Sequence, residues 1–354
     1  MDKINPPIIT IRSGQIDHKA VRAAVEALHT GALIILPTET VYGVAADPRV
    51  PGAEDRIYEA KGRERSKPLP MMAASLKAVE ATGAELCPAA RRLACRYWPG
   101  PLTLVVNCGS RVEGFRVPNH PVALAILQAV GGLLRVTSAN QSGEPSALTA
   151  ASALQALGQH VALVLDAGSA RLGMESTVVD ATGDTLKILR QGALPAKAIL
   201  SRPKVWLVCT GNTCRSPMAE YLLRHWLGPA PQWEVASAGV SALDGQRASE
   251  CAIQVMQEKK LDLASHRSRK LTEALIDDAD LIVVMTEAHK RAILHRFPWL
   301  DDRVVLLNTF SSAHPGEDVP DPFGMSLAVY RAIRDEIDAA MPDLLLHLHG
   351  LYHK

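Results

Sequence analysis

Apolar residues between Asp17 and Leu28 fall at positions 21, 24, 25 and 28, which is one face of a helix. The next apolar run, Ala32–Leu36 (ALIIL), is continuous and has the length of a buried strand. This alternation of short apolar runs and one-faced segments continues to residue 200. Further strands are predicted at Leu102–Val106, Leu133–Thr137, Val161–Asp166, Ser176–Asp180 and Leu186–Leu189. Helices are predicted at Pro88–Tyr97, Pro121–Val130 and Thr149–Leu157. The pattern is that of an α/β domain.

After the Pro-containing connector Pro195–Lys204 the alternation becomes more regular. Strands are expected at Val205–Val208, Glu234–Ala238, Leu281–Met285 and Val304–Leu307. The intervening helices are expected at 217–227, 247–260 and up to Phe297, and one long helix closes the chain over 326–348. Strands alternating with helices imply a parallel sheet with helices on both faces. Ligands of such sheets bind at the carboxyl ends of the strands. The expected division is a first domain over 1–201 and a second over 202–354.

Composition narrows the function classes. The 354 residues are 47% apolar and 21% charged, with a formal net charge of +1. That is ordinary globular usage, and it excludes a disordered chain or a strongly basic nucleic-acid coat. Residues 1–200 carry 21 Lys and Arg against 17 Asp and Glu, whereas the rest carry 17 against 20. The excess of positive charge thus lies in the first half. No stretch reaches the ~20 apolar residues of a membrane helix, and the apolar patch Ile8–Ile11 runs straight into Arg12, unlike a secretory leader. Six scattered cysteines without a CxxC pair point to a reducing, cytoplasmic setting without structural disulfide or zinc.

The loop after Val208 reads Cys209-Thr210-Gly211-Asn212-Thr213-Cys214-Arg215-Ser216-Pro217. Ser216 is a good helix N-cap and Pro217 a good first helical residue, so the loop is expected to wrap a helix N-terminus. Backbone N–H groups and the helix dipole there form an anion cradle. The same setting favours the thiolate of a cysteine, and an arginine adds a fork matched to phosphate oxygens. Asp321, in Asp321-Pro322-Phe323, lies after the last strand and is a candidate acid for a leaving group.

These residues, with "SAGV" (Ser237–Val240), "HRSRKL" (His266–Leu271), "ADLIVVMT" (Ala279–Thr286) and "DPFG" (Asp321–Gly324), occur in an order that resembles the low-molecular-weight protein phosphatase family. The resemblance implies Cys209 as nucleophile, Arg215 as phosphate binder and Asp321 as general acid and then general base. Asn212 and Ser216 would hold the loop and the thiolate. No cofactor is implied. Thr213 stands where tyrosine phosphatases carry an aliphatic residue, and Gly324 where they carry an aromatic one. This combination is similar to the protein-arginine-phosphatase branch; the alternative is a protein-tyrosine phosphatase. Cys214 is a candidate disulfide partner for Cys209 under oxidation.

The first half has no GxGxxG or Walker motif. Its polar clusters sit between strands: "LPTETVYG" (Leu36–Gly43), "AKGRERSKPLP" (Ala60–Pro70), "WPGPLTLV" (Trp98–Val105), "RVTSANQSGEPS" (Arg135–Ser146), "MESTVVD" (Met174–Asp180) and "LRQG" (Leu189–Gly192). Together and in order they resemble the threonylcarbamoyl-AMP synthase (YrdC-like) family. The resemblance implies a twisted α/β domain with a basic cleft, beside a phosphatase domain with a central parallel sheet flanked by helices. It implies a nucleotidyltransferase that joins L-threonine, bicarbonate and ATP with Mg²⁺. The product serves tRNA indirectly, through a separate transferase. Lys61 and Arg63 match the basic pair, Thr38 and Thr40 the threonine-side loop with Tyr42 nearby, and Ser138, Asn140, Ser176 and Arg190 the nucleotide side. Arg116 in "FRVPNHP" matches a cleft arginine. The run Lys67–Met72 lacks the family's following His. No metal ligand is expected among the side chains. The alternative for this half is a tRNA-binding module.

Overall fold

The computed structural model describes residues 6–11, 16–183, 185–229, 233–277 and 279–353. The chain separates into two compact units, residues 1–200 and 201–353. The extreme ends of the expected domains, and Arg12, lie outside the described residues.

The first unit is built on a mixed sheet. Its strands are β1 (Ile8–Thr10), β2 (Leu33–Leu36), β3 (Gly43–Ala46), β4 (Met71–Ala73), β5 (Ala84–Glu85), β6 (Leu102–Cys108), β7 (Arg111–Arg116), β8 (Leu133–Ser138), β9 (Val161–Asp166), β10 (Thr177–Asp180) and β11 (Lys187–Arg190). Among the described residues their order is β1-β9-β2-β3-β8-β4-β7-β6-β10-β11, with β5 on β6. Strands β1 and β2 run parallel to β9, and β10 parallel to β6, while β2–β3, β3–β8 and β6–β7 are antiparallel. The predicted helices appear at His18–His29, Pro88–Tyr97, Pro121–Ala129 and Ala150–Leu157. Asp17 caps the first and Thr149 the last. Strands β1, β3, β4, β5 and β7 were not among the predicted elements.

One property of this sheet positions the site. Successive strand residues point to opposite faces. Leu102, Leu104 and Val106 of β6, Phe115 of β7 and Val179 of β10 turn into one apolar cluster. Their neighbours Thr103, Val105, Gly114, Arg116 and Val178 turn the other way and line a cavity. The two faces therefore serve core and cavity separately.

The second unit has an all-parallel sheet of β12 (Lys204–Cys209), β13 (Glu234–Gly239), β14 (Leu281–Val284) and β15 (Val304–Leu306), in the order β13-β12-β14-β15. Val205 and Leu207 pack into one apolar cluster, and Trp206 and Val208 into another. Both faces of β12 are thus buried, which is why it reads as an uninterrupted apolar run. The chain leaves β12 for β13 on one side and reaches β14 on the other, so the loop after Cys209 opens at a switch point of the sheet.

Three expectations are corrected. The helix expected over 247–260 begins at Glu250, where the Ser249 hydroxyl accepts the Ala252 N–H, and ends at Glu258. The long closing helix is two helices, Leu327–Ala339 and Met341–His353. Pro342 has no N–H to give to Asp338, and its ring would strike that carbonyl in a continuous helix. Ser216 and Pro217 lie inside the helix Arg215–Leu227 rather than at its start, and Cys214 holds the cap position without a capping side chain.

Candidate functional sites

In the second unit the loop Cys209–Ser216 closes around its own backbone. Cys209 is 3% exposed. Its Sγ accepts the Asn212 N–H at 3.3 Å and lies 3.0 Å from the Ser216 hydroxyl. The Ser216 side chain is thus spent on the sulfur, not on a helix cap. Asn212 takes the left-handed conformation at φ 56°, a strained position for a side-chain-bearing residue that persists only when its surroundings over-determine it. Here they do. Its Nδ2 donates to Ser216 Oγ at 2.9 Å and to Ser237 Oγ at 2.8 Å, and its Oδ1 accepts the Arg269 N–H at 2.9 Å. Its carbonyl meets His266 Nε2 at 2.8 Å. The Ser237 hydroxyl in turn donates a hydrogen bond to the buried Glu220 at 2.5 Å. Gly239, at the end of β13, has no room for a side chain: a Cβ would stand 2.4 Å from the Thr210 carbonyl and 2.9 Å from the Asn212 nitrogen. Ser237, Gly239 and His266 sit inside motifs the sequence singled out, but their supporting contacts are visible only in three dimensions.

Arg215 is the first residue of the helix and its side chain is 5% exposed. Nη1 donates to the Val319 carbonyl at 3.1 Å and Nη2 to Asp321 Oδ2 at 2.6 Å, while Nε is buried without a partner. A buried N–H without an acceptor costs about 1–3 kcal/mol, so an anion in the loop would be stabilised by it. Asp321 is half exposed and its other oxygen accepts the Phe323 N–H at 3.2 Å. The Met325 N–H closes a turn onto the Pro322 carbonyl at 2.9 Å, with Gly324 at φ 75°. An aromatic residue there would be strained, which keeps that side of the loop open. The Cys214 sulfur lies 3.2 Å from the Tyr330 hydroxyl and 3.5 Å from Ser249 Oγ. Cys209 and Cys214 are both free thiols. Thr213 is partly buried, and its carbonyl accepts the Ser249 N–H.

Two buried histidines support this loop. Burial pushes His266 below the usual 6.5. Burial and the Arg215 guanidinium push His289 down to about 4, against the pull of Asp318 and Asp321. Below 6.5 the unfolded chain takes up protons that the folded unit refuses, so stability is full above 6.5 and falls as pH drops toward 4. At pH 5 the loss from His289 alone is about 2 kcal/mol. The urea concentration that halves phosphatase activity should be lower at pH 5 than at pH 7, and the gap should narrow, not close, in His289→Gln. An unchanged gap would remove His289 as a source of acid lability.

In the first unit, nine of the ten predicted binding residues line one cavity of about 810 Å³. The exception is Thr40, which is fully buried and meets the Thr38 hydroxyl at 2.8 Å from behind. Tyr42 borders the cavity, but its hydroxyl donates to the Gly168 carbonyl at 2.6 Å. Burial raises that phenol to about 12. Its oxygen is therefore a brace to the end of β9. Lys61 ends the helix Ala53–Lys61 and is 2% exposed. Its Nζ donates to the carbonyls of Ser138 and Asn140, the latter at 2.5 Å. Burial, with neighbouring Arg63, lowers its pKa to about 8. Arg63 folds onto the carbonyls of Lys67 at 3.1 Å and Pro68 at 3.2 Å.

Arg116 carries a partner that the sequence did not reveal. Its Nη2 meets Glu39 Oε1 at 2.7 Å, with both side chains buried, and its Nε donates to the Gly100 carbonyl. Stranding either ion would cost about 3–5 kcal/mol, so Glu39 fixes Arg116 at the cavity wall. Arg190 donates to the Ser176 carbonyl at 2.9 Å and pairs with Glu175, and Ser176 Oγ meets Thr103 Oγ1 at 2.8 Å. The cleft is accordingly basic but internally braced. Among the described residues no group of three or more His, Cys, Asp or Glu side chains could hold a metal ion, and no helix is long and apolar enough to cross a membrane.

Comparison with known proteins separates the same two parts. A family model described as telomere recombination (Sua5/YciO/YrdC) matches residues 26–192, and one for low molecular weight phosphotyrosine protein phosphatases matches 204–351. A putative threonylcarbamoyl-AMP synthase of Mycobacterium tuberculosis is 37% identical over 191 residues, covering 51% of this chain and 88% of that protein. A protein-arginine-phosphatase of Geobacillus stearothermophilus is 45% identical over 141 residues, covering 40% of this chain and 93% of that protein. The solved structure of Pyrococcus abyssi Sua5 aligns with a TM-score of 0.52 at 23% identity, over 85% of this chain and 98% of the other, a likeness of fold alone. The chain therefore belongs to two families, Sua5/YciO/YrdC through its first part and the low-molecular-weight phosphotyrosine protein phosphatases through its second.

Proposed function

We propose that the chain is a bifunctional enzyme, with residues 1–201 a threonylcarbamoyl-AMP synthase domain and residues 202–354 a protein-arginine-phosphatase domain. For the first activity, the supporting observation is that Lys61, Arg63, Arg116 and Arg190 converge on one cavity. Bicarbonate gives CO₂ by releasing hydroxide, the threonine amine adds to that carbon to form the carbamate, and the amine proton leaves with the hydroxide as water. A carbamate oxygen then attacks the α-phosphorus of ATP, and the bond to the departing pyrophosphate breaks. Both partners are anions, so neutralising and aligning them is the catalytic task. Mg²⁺ enters with ATP as part of the substrate. The adenylate then serves tRNA modification through a separate transferase, in the cytoplasm. Pyrophosphate release that requires both threonine and bicarbonate tests this reading. Salt-dependent tRNA binding without that release would replace it with an RNA-binding module.

For the second activity, the supporting observation is the Cys209 sulfur held by Asn212 and Ser216 beside an Arg215 with a free buried donor. The thiolate attacks phosphorus and the P–N bond breaks, while Asp321 gives its proton to the leaving guanidine nitrogen. A phosphoryl oxygen taking Nε and Nη2 of Arg215 displaces Asp321 from Nη2 and leaves the carboxyl to that proton transfer. Asp321 then removes a proton from the water that attacks the phosphocysteine. Phosphate leaves and the thiolate returns. Thr213 presents a hydroxyl to the substrate where an aliphatic residue would suit a phenol. The wild type should turn over phosphoarginine peptides with the higher kcat/KM, and Thr213→Ile should shift the ratio toward phosphotyrosine by at least about tenfold. A wild-type preference for phosphotyrosine would overturn the assignment.

A further inference from the structure

The helix Glu287–Arg296 begins beside both loops of the phosphatase site and contributes contacts to each. Thr286 caps it by accepting the His289 N–H. The Glu287 N–H donates to Asp318 Oδ1 at 2.6 Å, and the Val319 N–H donates to the Met285 carbonyl at 2.8 Å. Val319 in turn accepts Arg215 Nη1. The acid loop is therefore pinned to this turn. The phosphate loop is pinned to it by one side chain only among the described residues. His289 Nδ1 lies 2.9 Å from Thr286 Oγ1, and Nε2 lies 2.9 Å from Thr210 Oγ1.

We propose that His289 is a positioning residue for the phosphatase reaction: its imidazole, set between the hydroxyls of Thr286 and Thr210, locks the start of the nucleophile loop in register with the acid loop. The inference rests on the phosphatase reading above. A neutral imidazole has one donor and one acceptor nitrogen, which matches one hydroxyl on each side. The groups that face the ring are Arg215 from the helix after the loop and Asp318 and Asp321 from the acid loop. Arg215 and burial outweigh the two carboxylates, so the ring stays neutral across the working range. His289 touches no reacting atom. Its effect is on how often Cys209 and Asp321 are in place together, and a small misplacement of such groups costs a large factor in rate.

The two ring nitrogens allow a clean test. Glutamine places its amide near the Nε2 position and asparagine near Nδ1. His289→Gln should keep kcat for an aryl phosphate within about threefold of wild type, whereas His289→Asn and His289→Ala should lose about tenfold or more. KM should change little in all three. Thr210→Val should reproduce the loss, and adding it to His289→Ala should cost little more, because the two act as one contact. Folding is followed in the same samples by the thermal midpoint of the full chain. Equal activity of the Gln and Asn variants at equal folding, or losses that multiply in the double variant, would overturn the proposal. Cys209→Ser is run alongside. If wild type and Cys209→Ser are equally active, the phosphatase reading itself fails; if only Cys209→Ser is dead while every His289 variant matches wild type, that reading stands and the positioning role falls.

Discussion

Cys209→Ser should lose phosphatase turnover by at least about 10⁴-fold while leaving threonine-dependent pyrophosphate release at the wild-type rate. The first effect follows from the chemistry. The serine oxygen replaces the sulfur that the Asn212 N–H and the Ser216 hydroxyl hold in place, and a neutral hydroxyl without an adjacent base is a poor nucleophile. Removing the nucleophile of a concerted set typically costs as much as dismantling the whole set. The second effect follows from the division of the chain into two compact units with separate cores. Phosphopeptide and ATP assays on one preparation check both. Retained phosphatase activity would remove Cys209 as nucleophile, and a parallel loss of pyrophosphate release would show the variant to be misfolded as a whole.

The second large effect is expected at Lys61. Replacing it by methionine keeps the stem that fills the buried space, removes the ammonium, and leaves the carbonyls of Ser138 and Asn140 without their donor. Pyrophosphate release should fall by about 10³-fold, the scale of losing one preorganised electrostatic group, with phosphatase turnover unchanged. In the wild type the lowered pKa of about 8 has a readable consequence. The charged form is complete below that value and is lost above it, so kcat/KM for ATP should decline as pH rises through about 8. A bound polyphosphate favours the ammonium, so the decline in kcat should lie at higher pH. Coincident profiles, or a flat one, would show that this ammonium does not meet the anion.

Much of the second unit could be read directly, because buried parallel strands are apolar on both faces and stand out between helices. In the first unit the strands that the pattern does not mark are short or place few residues in the apolar core. Along β7 (Arg111–Arg116) the residues facing the cavity include Gly114 and Arg116, and only Phe115 turns into the apolar cluster. With a single residue in the apolar cluster, the strand lacks the repeated alternation that marks an ordinary half-buried strand. The short β3 and β4, rich in Ala, Gly and Met, carry too little side-chain signal for the same purpose. The site residues show a similar split. Those in tight local runs, such as Cys209 to Ser216, could be named in advance. Glu39 carries no signal of its own inside its motif, because only its distant partner Arg116, 77 residues on, gives its carboxylate a purpose. His289 likewise has no sequence signal: a lone histidine on a helix is ordinary, and only the fold sets Thr210 against it.

The order of residues along the chain was enough to establish two α/β parts, the Cys209–Ser216 loop at the end of a strand, and the concentration of basic residues in the first part. Those features are local: they depend on side-chain period, on turn chemistry and on neighbours a few positions apart. Folding alone decided that Ser216 serves the sulfur instead of capping a helix, that Thr40 stands behind the cavity wall, and that Arg215 is left with an open donor. Each of these outcomes depends on which distant groups are brought within about 3 Å, and hydrogen-bond partners far apart in sequence leave no periodic trace in it.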